Sequence, residues 1–288
     1  MFQCQKILFP IEFSQRDEAA APFVLSMAQR YHARVVLLHV LQPPPPIYAG
    51  MGAVYAESFD WNGAMEDRRI ELEKFAEAQL PKIETECKVE PGDPAAAISR
   101  YSDNNAVDLI AMPTHGYGLF RRALLGSVTA KVLHDSTLPV WTSAHAPEPS
   151  HRAHPQPRRI LCALDMKPES RHTLELAIML AKDAGASIEL VHVPAETVSP
   201  DAVEQHMREM LVQAANADLV GIEDVSPVAS ELQIVDGGIA EAVRKLALGK
   251  RADLVVIGRG AIRTGIGRLH AKSYDIIRES PCPVLSVS

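Results

Sequence analysis

Four cysteines are spread through the 288 residues of this chain, at Cys4, Cys87, Cys162 and Cys282, and no two form a CxxC pair. That spacing favours reduced thiols in the cytoplasm over a disulfide framework or a zinc site. No apolar run approaches the roughly 20 residues of a membrane-spanning helix, so no membrane is expected as a partner. The opening MFQCQKILFPIEF has neither a long apolar stretch nor a small-residue cleavage site, and it is not read as a signal peptide. Basic residues are outnumbered, 29 Lys and Arg against 36 Asp and Glu, for a net charge of −7. A binder of phosphate backbones needs a basic face, so broad nucleic-acid binding is not expected. Also missing are a GxxxxGK[ST] loop, a Ser-His-Asp pattern with supporting context, and any acid/base pair at a recognisable spacing.

What is present reads as globular: 47% hydrophobic and 23% charged residues, in a length that accommodates two domains. Lys6 to Ile11 and Arg34 to Val40 are short apolar runs without polar alternation, separated by helical spacing over Asp17 to His32. Buried strands alternating with helices predict a parallel sheet covered on both faces. Pro43 to Gly63, with four consecutive prolines and the aromatics Tyr48, Tyr55, Phe59 and Trp61, reads as a long loop. It is either a lid or partner surface, or a tolerated insertion. A helix is predicted over Met65 to Leu80, stopped by Pro81, and a strand over Ile83 to Val89. Asp93 is placed to cap a helix from Pro94 to about Ser102.

The chain then begins again. Ser143 to Pro157 holds four prolines and three histidines and no apolar run, the composition of a solvated linker rather than a metal site. Beyond it, RRILCALD (158–165) echoes KILFPIE (6–12), and ASIELVHV (186–193) echoes ARVVLLHV (33–40). ADLVVIGRG (252–260) echoes VDLIAMPTHG (107–116), and SPCPVLSV (280–287) echoes STLPVWTS (136–143). Order and spacing are kept, so the protein is two copies of one fold: domain 1–143, linker 144–157 and domain 158–288. His39 and His192 fall at matching positions, which favours a shared structural role.

Asp108 to Thr142 carries the strongest functional signal. An apolar strand, Leu109 to Met112, leads into a loop with Gly116, Gly118, Arg121 and Arg122, and Gly126-Ser127 opens a helix. The first-turn N–H groups of a helix have no intrahelical partner and favour an anion. Ser127 and Thr129 add hydroxyls, and Arg121 and Arg122 add positive charge. Read on their own, the glycines are equally turn residues and Ser127 equally an N-cap.

Nine residues separate Gly116 from Gly126, and Ser127 follows. This spacing resembles the nucleotide motif of the universal stress protein family: Gly, two residues, Gly, nine residues, Gly, then Ser or Thr. The chain departs from it at Pro113, where the first glycine would stand. Proline has no N–H, so one backbone donor is missing. The resemblance covers both halves and implies an α/β fold of two tandem doubly wound domains. Each would be a five-stranded parallel sheet in the order 3-2-1-4-5 with helices on both faces. Ligands of such sheets sit beyond the carboxyl ends of the strands where the order reverses. Those ends are Pro10, Ile11 and Glu12 after the first strand, and Met112 and Pro113 after the fourth.

By the same resemblance, Glu12 stands where the family has an aspartate that helps hold the adenosine. Backbone groups near Val40 would meet the base, with Met112 packed nearby. Gly116, Gly126, Ser127, Val128 and Thr129 would meet the phosphates; His115 either approaches them or only occupies the loop. The ligand implied is ATP, with magnesium entering through its phosphates because the loop offers no carboxylate. The second half carries His270 and Ala271 in place of Gly126 and Ser127, so a degenerate site is expected there. Association through the last strands implies an intramolecular pseudo-dimer, and pairing of whole chains is compatible with it. The expected function is an ATP-binding stress-response regulatory module, with hydrolysis slow at most. The alternatives are a nucleotide-free interaction protein of the same fold and an adenine-nucleotide enzyme of related fold.

Overall fold

The computed structural model describes residues 2–42, 60–114, 125–144, 155–165, 167, 170–194, 201–203, 205–207, 209–210, 232–259 and 271–288. The chain divides into two compact units, Cys4–Met112 and Pro113–Ser288 with Met1–Gln3, so the division falls inside the first sequence repeat.

The first unit contains β1 (Lys6–Pro10), α1 (Gln15–Tyr31), β2 (Arg34–Leu41), α2 (Trp61–Gln79), β3 (Thr85–Pro91), α3 (Pro94–Asn104) and β4 (Leu109–Met112). Its strands lie in the order β3-β2-β1-β4, all parallel. Every residue of β1 and β4 is buried. Strands buried on both faces need apolar side chains on both, which is why these segments read as unbroken hydrophobic runs. Phe9 of β1 has no exposed surface and meets the ring of Phe75 on α2 edge-on, with centroids 6.1 Å apart. Burying one such side chain stabilises the fold by about 1.5–3 kcal/mol.

The second unit contains α4 (Ser127–Asp135), β5 (Val140–Thr142), β6 (Arg159–Leu164), α5 (Ser170–Ala184), β7 (Ser187–His192), β8 (Leu232–Ile234), α6 (Ile239–Lys250), β9 (Leu254–Gly258), α7 (Ala271–Glu279) and β10 (Val284–Val287). Strands β8-β7-β6-β9-β10 are parallel in that order. Strand β5 joins β10 antiparallel, with Trp141 opposite Leu285. The architecture is α/β, a mostly parallel sheet with helices on both faces.

The repeats show themselves in hydrogen bonds as well as in sequence. Asp108 accepts the N–H groups of Gln5 and Lys6 at 2.7 and 2.9 Å, and Asp253 accepts those of Arg158 and Arg159 at 2.9 and 3.0 Å. In each copy one carboxylate thus satisfies backbone donors at the start of the first strand.

Three elements start at residues other than those the sequence reading gives. Helix α1 begins two residues early because Ser14 and Asp17 form a capping box. Helix α2 begins at Trp61 rather than Met65: Asp60 caps it by accepting the Gly63 N–H at 2.9 Å. A Cβ on Gly63 would come within 2.4 Å of that carboxylate, so the glycine read as loop is what makes this cap possible. Strand β3 is shifted two residues, to Thr85–Pro91, by its register with β2. The prolines of the 43–63 loop and the histidines of the linker lie outside the described residues.

The β5–β10 seam is tied by two matching side-chain bonds. Thr142 donates to the Val284 carbonyl at 3.2 Å, and Ser286 donates to the Val140 carbonyl at 3.1 Å. Both hydroxyls are fully buried. Thr142→Val and Ser286→Ala are each expected to lower unfolding free energy by about 1 kcal/mol, read from urea denaturation midpoints. Unchanged midpoints would show that the hydroxyls do not hold the seam.

Candidate functional site

Helix α4 begins at Ser127, and its N-cap is Gly126, not the serine. Helices α1, α2 and α3 are capped by the side chains of Ser14, Asp60 and Asp93. Gly126 has no side chain to offer, so the first turn of α4 carries no side-chain cap. Helix α6 shares a glycine cap, Gly238, but Ile239 follows it in place of a hydroxyl. Two contacts fix the approach to α4. The Gly126 N–H donates to the Thr114 carbonyl at 2.9 Å, and the buried Thr129 hydroxyl donates to the Pro113 carbonyl at 3.0 Å. Thr129 is therefore a strut rather than a free donor, and the Gly126 N–H is already used. Among the described residues nothing caps the first-turn N–H groups of Ser127, Val128 and Thr129, and the Ser127 side chain is exposed beside them. Dipole and donors together favour an anion there.

Pro113 is buried, and its missing N–H is matched by a carbonyl that anchors Thr129. The second repeat repeats this strut with a glycine: Ser273 on α7 donates to the Gly258 carbonyl at 3.3 Å. In both copies a hydroxyl of the helix thus bonds the carbonyl at this corner, whichever residue occupies the position.

In the unit Cys4–Met112, the ends of three adjacent parallel strands bring Pro10, Ile11, Glu12, Val40 and Met112 to one edge of the sheet. Met112 is buried and Val40 half-buried. The Ile11 N–H donates to the Leu38 carbonyl at 2.9 Å, locking the end of β1 to β2. His39 Nδ1 lies 2.8 Å from the Ile11 carbonyl and must donate, since a carbonyl only accepts. Burial lowers the pKa of His39, so the ring is neutral at pH 7 with its other nitrogen an acceptor. His192 makes the same 2.8 Å bond to the Leu164 carbonyl, which gives the matched histidines a shared structural role. Phe13 packs on His39 with ring centroids 4.9 Å apart and takes a left-handed φ of 59°. The Arg68 guanidinium lies 5.7 Å from the Phe13 centroid and pairs with Glu71.

The carboxylate fixed at this edge is Asp17, which sequence reasoning passed over. It is 1% exposed and accepts from the Ser14 N–H at 2.7 Å, the Glu12 N–H at 3.1 Å and the Ser14 hydroxyl at 3.1 Å. The S-x-x-D spacing before an apolar run was the available signal. Glu12 is exposed, yet its carboxyl is raised in pKa, by desolvation first and then by the neighbouring Asp17, against a smaller opposing effect of Arg16. The second repeat resolves the same corner differently. Burial acts to raise Asp165, but the Ser170 hydroxyl and the N–H and ammonium of Lys167 outweigh it and hold that carboxyl low.

Among the described residues, no group of three His, Cys, Asp or Glu side chains could hold a metal ion. His115, Gly116, Arg121 and Arg122 lie outside the described residues, as does His270 of the second repeat.

Folding also raises the Asp17 carboxyl, by burial first, with its hydrogen bonds opposing. The folded state then binds more protons than the unfolded chain from the ordinary carboxylate range upward, so stability is lost as pH rises through the folded pKa. The near-isosteric Asp17→Asn lacks that contribution. The stability difference, parent minus variant, is expected to fall as pH rises from about 4, measured by denaturation across pH. A difference that rises with pH would reverse the assignment.

A family model described as the universal stress protein family matches residues 3–143 and again 157–288. Universal stress proteins of Thermus aquaticus and Methanocaldococcus jannaschii are 29% and 28% identical to the chain over 135 and 149 residues. Those alignments take in 45% and 47% of this chain and 98% and 92% of the relatives. A Synechocystis universal stress protein is 41% identical over 70 residues, 24% of each chain. A universal stress protein of Archaeoglobus fulgidus has the same fold, with a TM-score of 0.70 at 24% identity over 100% of this chain and 97% of that one. With the family matched once in each sequence repeat, the chain belongs to the universal stress protein family, in its tandem two-domain form.

Proposed function

We propose that the protein is an ATP-binding regulatory module whose nucleotide is held by the first repeat, domain 1–143. The observation that carries this reading is the start of α4. A glycine N-cap leaves the first-turn N–H groups uncapped, and an exposed hydroxyl, Ser127, follows at the position where the family motif requires Ser or Thr. The residues fit a polyphosphate. Three backbone donors are available, the Thr129 strut fixes the helix, and Arg121 and Arg122 of the loop supply charge by sequence. Magnesium would bind through the phosphates, since residues 113–130 include no carboxylate. The adenosine is assigned to the edge formed by Pro10, Ile11, Glu12, Val40 and Met112, with Gly116 and His115 on the intervening loop. No residue here stands as a water-activating base, so any hydrolysis is slow.

A second reading, a nucleotide-free interaction protein, is favoured by Pro113, which has no N–H and whose carbonyl is already bonded to Thr129. Native mass spectrometry of the purified protein separates the two. The first reading expects bound adenine nucleotide; the second expects the bare chain.

The second repeat lacks both Gly126 and Ser127 equivalents, so titration is expected to give one ATP per chain. Ser127→Asp sets a carboxylate against the phosphates and is expected to abolish binding without lowering the melting temperature. A stoichiometry of two, or parental affinity in Ser127→Asp, would displace the site from α4.

A further inference from the structure

Helix α4 is gripped by the second repeat. Arg259, one residue beyond β9, is 4% exposed, and its guanidinium donates to the Leu133 carbonyl at 2.8 Å and to the Leu138 carbonyl. Leu133 is in the last turn of α4, where carbonyls have no intrahelical donor. Tyr274 on α7 donates its hydroxyl to the Ala130 carbonyl at 2.5 Å. Among the described residues no carboxylate pairs with Arg259, and its Nε has no hydrogen-bond partner. A buried cation bonded to backbone carbonyls, with no carboxylate among the described residues, is costly for stability alone, since a guanidinium gives up strong hydration. Its position at the negative end of a nine-residue helix is where a cation offsets the helix dipole.

The contact runs one way. The struts Thr129 to Pro113 and Ser273 to Gly258 set the correspondence between the copies. By it, Arg259 matches Thr114 and Tyr274 matches Ala130. Ala130 has no polar side chain, and Thr114 carries a short neutral hydroxyl in place of a guanidinium. The copy with the degenerate motif therefore holds the helix of the copy with the near-intact one.

We infer that Arg259 and Tyr274 are positioning residues for the phosphate end of the nucleotide site, Arg259 fixing the far end of α4 and Tyr274 its fourth residue, Ala130, so that the N–H groups of Ser127, Val128 and Thr129 stay aimed. This rests on the ATP reading above. Six residues of helix separate Ser127 from Leu133, about 9 Å at 1.5 Å per residue, so a tilt at one end displaces the donors at the other. Neither residue touches the nucleotide, and the effect is confined to the phosphates.

The test measures Kd for ATP and for adenosine by calorimetry on the full chain, comparing the parent with Arg259→Met, Arg259→Lys and Tyr274→Phe. ATP affinity is expected to fall about three- to thirty-fold in Arg259→Met and less in Tyr274→Phe, with partial rescue in Arg259→Lys. Adenosine affinity is expected to stay at the parental value. Should Arg259→Met fail to fold, Tyr274→Phe carries the test, because it removes one oxygen and keeps the ring. Equal losses for ATP and adenosine would mean a purely structural role and overturn the inference, as would parental ATP affinity in the folded variants. A parent chain that binds no ATP sinks the nucleotide reading itself, and the inference with it.

Discussion

A three-residue strand with every residue buried cannot stand as an open edge. Val140, Trp141 and Thr142 need a partner for their backbone groups as much as for their side chains, and β10 supplies it. Much of the larger unit follows from that pairing. It brings the tail of the first repeat against the second, so that Thr142 and Ser286 each donate to a carbonyl of the opposite strand and Arg259 reaches the end of α4. It also accounts for a compact unit that begins at Pro113 although the sequence repeat ends near Thr142. Sequence similarity traces descent within each copy, whereas contact density follows which strand edges are buried together.

The fold was legible where burial is uniform. Leu109–Met112 was read with the bounds it has, because a fully buried parallel strand leaves an unbroken apolar run. Asp93 was read as a cap for the same kind of reason: an acid, a proline at the first helical position and an apolar helix follow one another. Boundaries set by capping hydrogen bonds were missed. The start of α2 depends on Asp60 bonding Gly63, and glycine in sequence signals a turn as readily as a crowded cap. The start of α1 depends on the Ser14–Asp17 box, which the apolar spacing from Asp17 onward did not require.

At the start of α4 the Gly126-Ser127 pair was legible as a helix opening, while the state of the nearby acids was not. Sequence comparison singled out Glu12 because it occupies an acidic position, but Asp17, five residues on, takes the backbone donors of that corner. The second repeat has a serine at the matching position, Ser170, and there the acid itself, Asp165, is the hydrogen-bonded group. Which of two nearby acids is solvated and which is buried is decided by packing, and one-dimensional spacing carries little of that information. Thr129 shows the same limit. Its place in the first turn suggests a ligand contact, while its burial makes it a strut to Pro113.

Among the described residues the bond from Arg259 to Leu133 has no counterpart from the first repeat. In an assembly of two identical chains related by a two-fold axis, every contact is made twice, so a feature useful on one side is imposed on the other. Two copies joined in one polypeptide escape that rule. One copy can carry an arginine where the other carries Thr114, and a tyrosine where the other carries Ala130, without either change being mirrored. The tandem chain thus has access to a handed division of labour that symmetry forbids to a homodimer, and the covalent link keeps the unlike halves from exchanging for like ones.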